Sequence, residues 1–207
     1  MNIPNRRERH RLNVRRQILD AARELFAAEG YEAVTMRRIA EAIEYSPTAL
    51  YQHFKDKNDL MRELCKIDCA ALAESFQAIA KNPDPLERLR EIGMAYVRFG
   101  IERPNHYRLL FMSGWLTQSE DLEEMGHGNP QRDGYAFLLD TVTEVISQGC
   151  FNPQLTDPQL LAQAYWGSVH GAVALHLTNY GDAWVEWRNL EDTARLITNT
   201  MIQGCRR

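Results

Sequence analysis

The sequence predicts an all-α protein in two parts: a small N-terminal helix-turn-helix unit over residues 1–60 and a larger helical body over residues 61–207. Three observations predict it. Apolar residues recur three and four apart along most of the chain, the period of one helix face. Residues 35–54 fold two short apolar stripes around a bend. Residues 158–181 contain no Asp, Glu, Lys or Arg, so they read as a helix enclosed by other protein.

Taken in order, residues 1–16 carry six arginines against one acid, Glu8. Alone, such a run is a solvated, frayed terminus. Beside a nucleic-acid-reading unit, a flexible arm can add phosphate contacts or reach into a minor groove. From about Arg15 to Glu29 the residues Ile18, Ala22, Leu25 and Phe26 share one face, and Gly30 is the expected stop. Thr35 can cap a helix from Met36 to about Ile43, with Ile39 and Ile43 on one side. A second short helix opens at Ser46-Pro47, a capping hydroxyl followed by proline at the first helical position. Leu50 and Phe54 share its inner face. Thr48 and Gln52 lie opposite Leu50, flanked by Tyr51 and Ala49. Small or hydrogen-bonding groups on that outer face suit a major groove, where Gln can read an adenine edge.

Asp56 caps a long helix from Lys57 to about Ala80 that enters both parts and is a candidate lever between them. Helices follow over about 86–102, from Pro104, over 134–148, over 158–180 and over 187–202. The run 117–132, with acids, two glycines and a proline, reads as a mobile loop. Gln159, Gln163, His170, His176 and Asn179 argue against a membrane span in 158–181. Gly167 and Gly171 permit close helix approach.

Net charge is −4, but residues 1–58 carry +3 and the remainder −7, so the acidic total does not exclude nucleic acid. No secretory signal is apparent. Cys65, Cys69, Cys150 and Cys205 lack CxxC spacing and read as reduced thiols of a cytoplasmic protein. No metal or cofactor motif is present. Cys65 and Cys69, four apart on one helix, leave a thiol-sensing variant open beside the plain reading of small buried hydrophobes.

Residues 15–60, and above all SPTALYQHFKDKNDL, resemble the DNA-binding domain of the tetracycline-repressor (TetR) family of bacterial transcriptional regulators. The resemblance implies a ligand-responsive, dimeric regulator, most often a repressor, bound to a palindromic duplex operator. It implies phosphate contacts from Tyr51, His53 and Lys57, with Thr35 or Arg37 adding to them, and places Tyr45, Ser46, Pro47, Thr48 and Gln52 at or near base edges. Glu44 stands where the family often has glycine and Ala49 where threonine is common, so the bend at Glu44 is expected to be less tight. The resemblance also makes helices 158–180 and 187–202 a four-helix interface with a second copy. WGSVHGA, Trp166 to Ala172, looks like the Trp-His-Gly type of C-terminal domain.

A small, partly hydrophobic effector fits an interior holding Phe99, Phe111, Met112, Trp115, Phe137, Trp166 and His170, although such a stripe also makes plain core. His170 can bond a ligand or titrate near neutral pH. An enzyme in the helical body would need His170, His106 or the cysteines ordered by a GxSxG, glycine-loop or HExxH pattern, and none is present. An architectural DNA-binding protein without an effector would share the N-terminal unit, but has no need of an aromatic helical interior.

Overall fold

The computed structural model describes residues 5–115 and 126–206. Among these the helices run α1 Arg6–Glu29, α2 Met36–Ala42, α3 Pro47–Tyr51, α4 Lys57–Gln77, α5 Pro85–Glu102, α6 Pro104–Met112, α7 Gly134–Ser147, α8 Pro158–Asn179 and α9 Leu190–Cys205, with a short 3-10 turn at Ile79–Lys81. The only β-type pairing among the described residues is an isolated bridge between Phe151 and Arg206. Of the loose run 117–132, residues 117–125 lie outside the described residues. No helix among the described residues is long and apolar enough to cross a membrane.

Contacts divide the chain into two compact units, residues 1–68 with 105–119, and residues 69–104 with 120–207. In the first unit, α1 packs on α2 and α2 on α3. Its core takes Ile18, Ala22 and Phe26 from α1, Ile39 and Ala40 from α2, then Leu50, Phe54, Leu60, Leu64 and, from α6, Tyr107 and Leu110. Each large side chain removed from water stabilises by about 1.5–3 kcal/mol, so these few positions decide the packing of such short helices. An ion pair is buried with them, Arg23 with Asp68. Asp68 is fully enclosed, accepts from Arg23 Nη2 at 2.9 Å, and lies 2.7 Å from His106 Nδ1. A buried carboxylate requires such partners.

The first helix begins earlier than the apolar stripe predicts. It starts at Arg6 rather than near Arg15, because Asn5 and Glu8 form a reciprocal capping box. The basic N-terminal run is therefore helical from residue 6 onward and is not a frayed arm.

In the second unit α5 packs against α7, α8 and α9, and α8 also meets α7 and α9. Tyr165 fixes the α8 approach by donating its buried hydroxyl to the Leu89 carbonyl at 2.6 Å. Gly93 makes the crossing possible: a Cβ there would stand 2.5 Å from both Thr198 Cγ2 and the Tyr165 hydroxyl. Arg88, buried on α5, pairs with Glu144 of α7 and donates to the Asn82 carbonyl at 2.7 Å.

Helix α8 departs from the expectation of an enclosed helix. Only Ala162, Tyr165, Val169 and Val173 are buried, one stripe of the cylinder. Leu160 and Leu175 are exposed, and no atom lies within 4 Å of the Cβ positions of Gly167 and Gly171. The absence of charge from this helix thus reflects an uncovered apolar side, not burial all round. Helix α9 starts at Leu190, capped by Asn189, so Trp187 precedes it. Between the two helices Trp184 is 97% exposed.

Candidate nucleic-acid interface

The interface is built by α2, α3 and the turn between them. Thr35 caps α2 by accepting from the Arg38 N–H at 3.1 Å. Ser46 caps α3 by accepting from the Ala49 N–H at 3.3 Å, with Pro47 as the first helical residue. Both helices therefore begin where their hydroxyl and proline signals place them.

The turn is tighter than the glutamate suggests. Glu44 adopts φ 59, the left-handed region. The Tyr45 N–H bonds the Ala40 carbonyl at 2.9 Å and the Glu44 N–H bonds the Glu41 carbonyl at 3.3 Å. This is the paired closure of a Schellman motif, normally built with glycine at the left-handed position. Closing it with a β-carbon costs about 1 kcal/mol, which the burial of Ile39, Leu50 and Phe54 on either side of the turn offsets.

Helix α3 is only five residues long and ends at Tyr51, with Gln52 as its C-cap. His53 follows in the turn, so it is not helical. Leu50 and Phe54 are buried at 0% and 2% exposure, which anchors the inner side. Ser46, Pro47, Thr48, Tyr51 and Gln52 are exposed, and Tyr45 is half-buried. The structure thus brings the residues expected near base edges onto one polar side.

The expected phosphate contacts have local partners. Thr35 is exposed, and Arg37 pairs with Glu41 at 2.9 Å with both side chains in solvent. Lys57 donates to the Tyr31 carbonyl at 2.8 Å and stands 4.1 Å from the centre of the Tyr31 ring, which leaves it further donors. His53 is half-buried, and its carbonyl accepts from Arg15 Nη1 at 3.1 Å. Arg15 also pairs with Glu63 at 2.9 Å and lies over the Phe54 ring. Burial lowers the His53 pKa, and the nearby positive charges of Arg11, Arg15 and His10 lower it further. At neutral pH the imidazole is neutral and has one N–H to donate. Sequence reasoning missed this convergence of α1 on His53. The signal was the spacing Arg7, Arg11, Arg15, four apart, continuous with the Val14 and Ile18 stripe, behind the Asn5-x-x-Glu8 cap.

The residues expected at an effector fall in both units. In the first, Phe111 stacks obliquely on Tyr107 with centroids 5.0 Å apart, Met112 is exposed, and Trp115 stands close enough to Tyr31 to lower its pKa against the larger upward effect of burial. In the second, Phe99 is buried, Phe137 stacks on Phe76 at 5.8 Å, and Trp166 lies 6.0 Å from the His170 ring. His170 Nδ1 lies 3.0 Å from the Tyr96 hydroxyl, and burial lowers its pKa. The expected titration near neutrality is thus moved toward acid, and His170 acts as a neutral hydrogen-bonding group. A cavity of about 560 Å³ opens between α5 and α9, but its lining of Arg90, Met94, Arg98, Arg195 and neighbours includes none of these aromatic residues. Cys65 is fully buried and Cys69 is half-buried. Among the described residues no group of three His, Cys, Asp or Glu side chains could hold a metal.

Residues 18–64 match a family model described as bacterial regulatory proteins, tetR family. Residues 89–198 match one described as tetracyclin repressor-like, C-terminal domain, a description that names no Trp-His-Gly subtype. The HTH-type transcriptional repressor AcnR of Corynebacterium glutamicum is 45% identical over 115 residues, covering 54% of this chain and 61% of that protein. The HTH-type transcriptional repressor Rv1474c of Mycobacterium tuberculosis is 35% identical over 123 residues, covering 58% and 66%. The matched stretches thus span less than two thirds of these relatives. Among solved structures, the TetR family transcriptional regulator PfmR of Thermus thermophilus superposes with a TM-score of 0.72 at 23% identity, covering 92% of this chain and 99% of that one. The Bacillus subtilis regulator FadR, solved with stearoyl-CoA, gives 0.71 at 21% identity over 91% and 97%. At these identities the superpositions speak for the fold.

Proposed function

The chain belongs to the tetR family of bacterial regulatory proteins, and from that premise we propose that it is a homodimeric transcriptional repressor released from its operator by a small, partly hydrophobic effector. The observation that carries this reading is the outer side of α3. Thr48, Tyr51 and Gln52 stand in solvent on a helix whose opposite side is sealed by Leu50 and Phe54. A five-residue helix presented this way exposes hydrogen-bonding groups that the fold itself does not use. Gln52 is suited to an adenine edge, and Tyr51 and His53 to phosphate oxygens. Thr35, Arg37 and Lys57 add contacts at the margin.

Two copies related by a two-fold axis would place their α3 helices in successive major grooves about 34–36 Å apart. The uncovered side of α8, with Leu160, Leu175 and the open space over Gly167 and Gly171, supports pairing with a second copy together with Leu196 of α9. In this reading the effector belongs to the helical body, where the half-buried Phe137, Trp166 and His170 offer aromatic surface and one neutral hydrogen-bonding ring beside the buried Phe99. Coupling of about 1–3 kcal/mol between effector and operator would change operator affinity about 5–150-fold.

The test is recovery of bound genomic fragments followed by anisotropy titration of each duplex, with and without a hydrophobic compound panel that includes acyl-CoA thioesters. A recovered fragment should bind far tighter than random duplex, and at least one compound should weaken it. Equal affinity for every duplex would refute the reading. A thiol-sensing variant would have to act through the half-buried Cys69, since Cys65 is fully buried, and loss of an oxidant response in Cys69→Ser with operator binding intact would support it.

A further inference from the structure

The first two turns of α1 have no structural work to do. Residues 6–13 are exposed throughout, and Val14 is the first buried side chain. Yet the segment is helical and capped. Asn5 accepts from the Glu8 N–H at 3.0 Å, and Glu8 reaches back to the Asn5 N–H at 2.9 Å. The one acid of the segment is thereby consumed in building its end. Arg6, Arg7, Arg9 and Arg11 have no carboxylate partner among the described residues.

Position around the helix then matters. At 3.6 residues per turn, Arg7, Arg11 and Arg15 stack along one side, with Arg6 and His10 adjacent. That side is the same one that carries Val14 and Ile18 into the core, so it continues the inner face of α1 beyond the packed body. The stripe ends at Arg15, which donates to the His53 carbonyl, and the charges of Arg11 and His10 act on the His53 ring. It therefore runs out from the C-terminal end of the α3 segment.

We infer that residues 6–13 of α1 form a rigid phosphate-binding rail for duplex DNA, on which Arg7 and Arg11 grip backbone phosphates flanking the stretch met by α3. The inference rests on the reading of the protein as a DNA-binding regulator. Rigidity is the substance of it. A helical rail delivers its guanidinium groups to a fixed strand position at little ordering cost, whereas a frayed arm would have to be ordered on binding.

The experiment is a potassium chloride titration of binding to a labelled random-sequence 30-bp duplex, using the full chain. For R7A/R11A the plot of log affinity against log salt should be shallower than wild type by about 1.8, for two phosphate contacts at about 0.9 each. R9A/R16A, on the other side of the helix, should keep a slope close to wild type, and R7K/R11K should recover it. N5A removes the cap without altering charge and should weaken binding while the thermal midpoint holds. An unchanged slope in R7A/R11A, or equal losses in R9A/R16A, overturns the rail. N5A binding like wild type overturns its rigidity. Wild-type protein that binds no duplex defeats the regulator reading itself, which is a different result from wild type binding with a slope that R7A/R11A leaves intact.

Discussion

Helices α3 and α8 each leave one side without a covering neighbour in the chain, and the two sides are opposite in chemistry. The uncovered side of α3 offers Thr48, Tyr51 and Gln52. That of α8 offers Leu160, Leu175 and two glycines with nothing above them. A polar side is at ease in water and gains from a partner only through directed hydrogen bonds, so it can discriminate. An apolar side gains about 25 cal/mol for each square ångström removed from water, whatever the detailed shape, so it holds. The short helix is suited to specificity and the long one to assembly.

The sharpest way to break this contrast is to charge the apolar side. If the proposed dimer forms through this side, Leu175→Glu with Leu196→Glu should give a monomer by light scattering and weaken operator affinity about 100-fold or more, because the two reading heads lose their linkage. A variant that is still dimeric would mean that assembly uses another surface. On the polar side, Gln52→Ala should weaken binding to a recovered operator by about 1–3 kcal/mol and leave random duplex almost untouched. A uniform loss across sequences in the same anisotropy assay would assign Gln52 to phosphate instead.

Two smaller effects test the frame that holds α3 in place. Glu44→Gly should stabilise the protein by about 1 kcal/mol in urea unfolding, since φ 59 is natural for glycine. His53 contributes a pH dependence of defined sign. Its folded-state pKa lies below that of the unfolded chain, because of burial and the charges of Arg11, Arg15 and His10. Acidification therefore protonates the unfolded chain first. The stability it contributes is complete above about pH 6.5 and is lost as pH falls through the folded pKa. His53→Gln should flatten the fall in urea midpoint between about pH 7 and 5, with no change at pH 8.

Local signals make the caps legible in the sequence. Thr35, Ser46-Pro47 and Asp56 each announce a helix start, and each caps as expected, with Asp56 accepting from the Asp59 N–H at 2.8 Å. The outward position of Thr48 and Gln52 followed from period alone. Three features were harder to read. The first helix extends to Arg6 because a capping box needs no apolar stripe to announce it. The Glu44 turn closes in spite of its side chain, since tertiary packing overrides local preference. The uncovered side of α8 carries the same residues as an enclosed helix, because an apolar surface awaiting a partner and one already covered have one composition. The positions of Phe111, Met112 and Trp115 depend on contacts distant in sequence, such as Trp115 to Tyr31, which no spacing encodes.

Asp68 draws together three helices by a single carboxyl group: Arg23 comes from α1 and His106 from α6. Their contributions cannot be separate. Removing Arg23 changes what His106 faces, and removing His106 changes what Arg23 must neutralise, so paired substitutions should depart from the sum of the single ones. Thermodynamic cycles across these three positions would reveal whether the trio behaves as one cooperative joint rather than as two independent bonds.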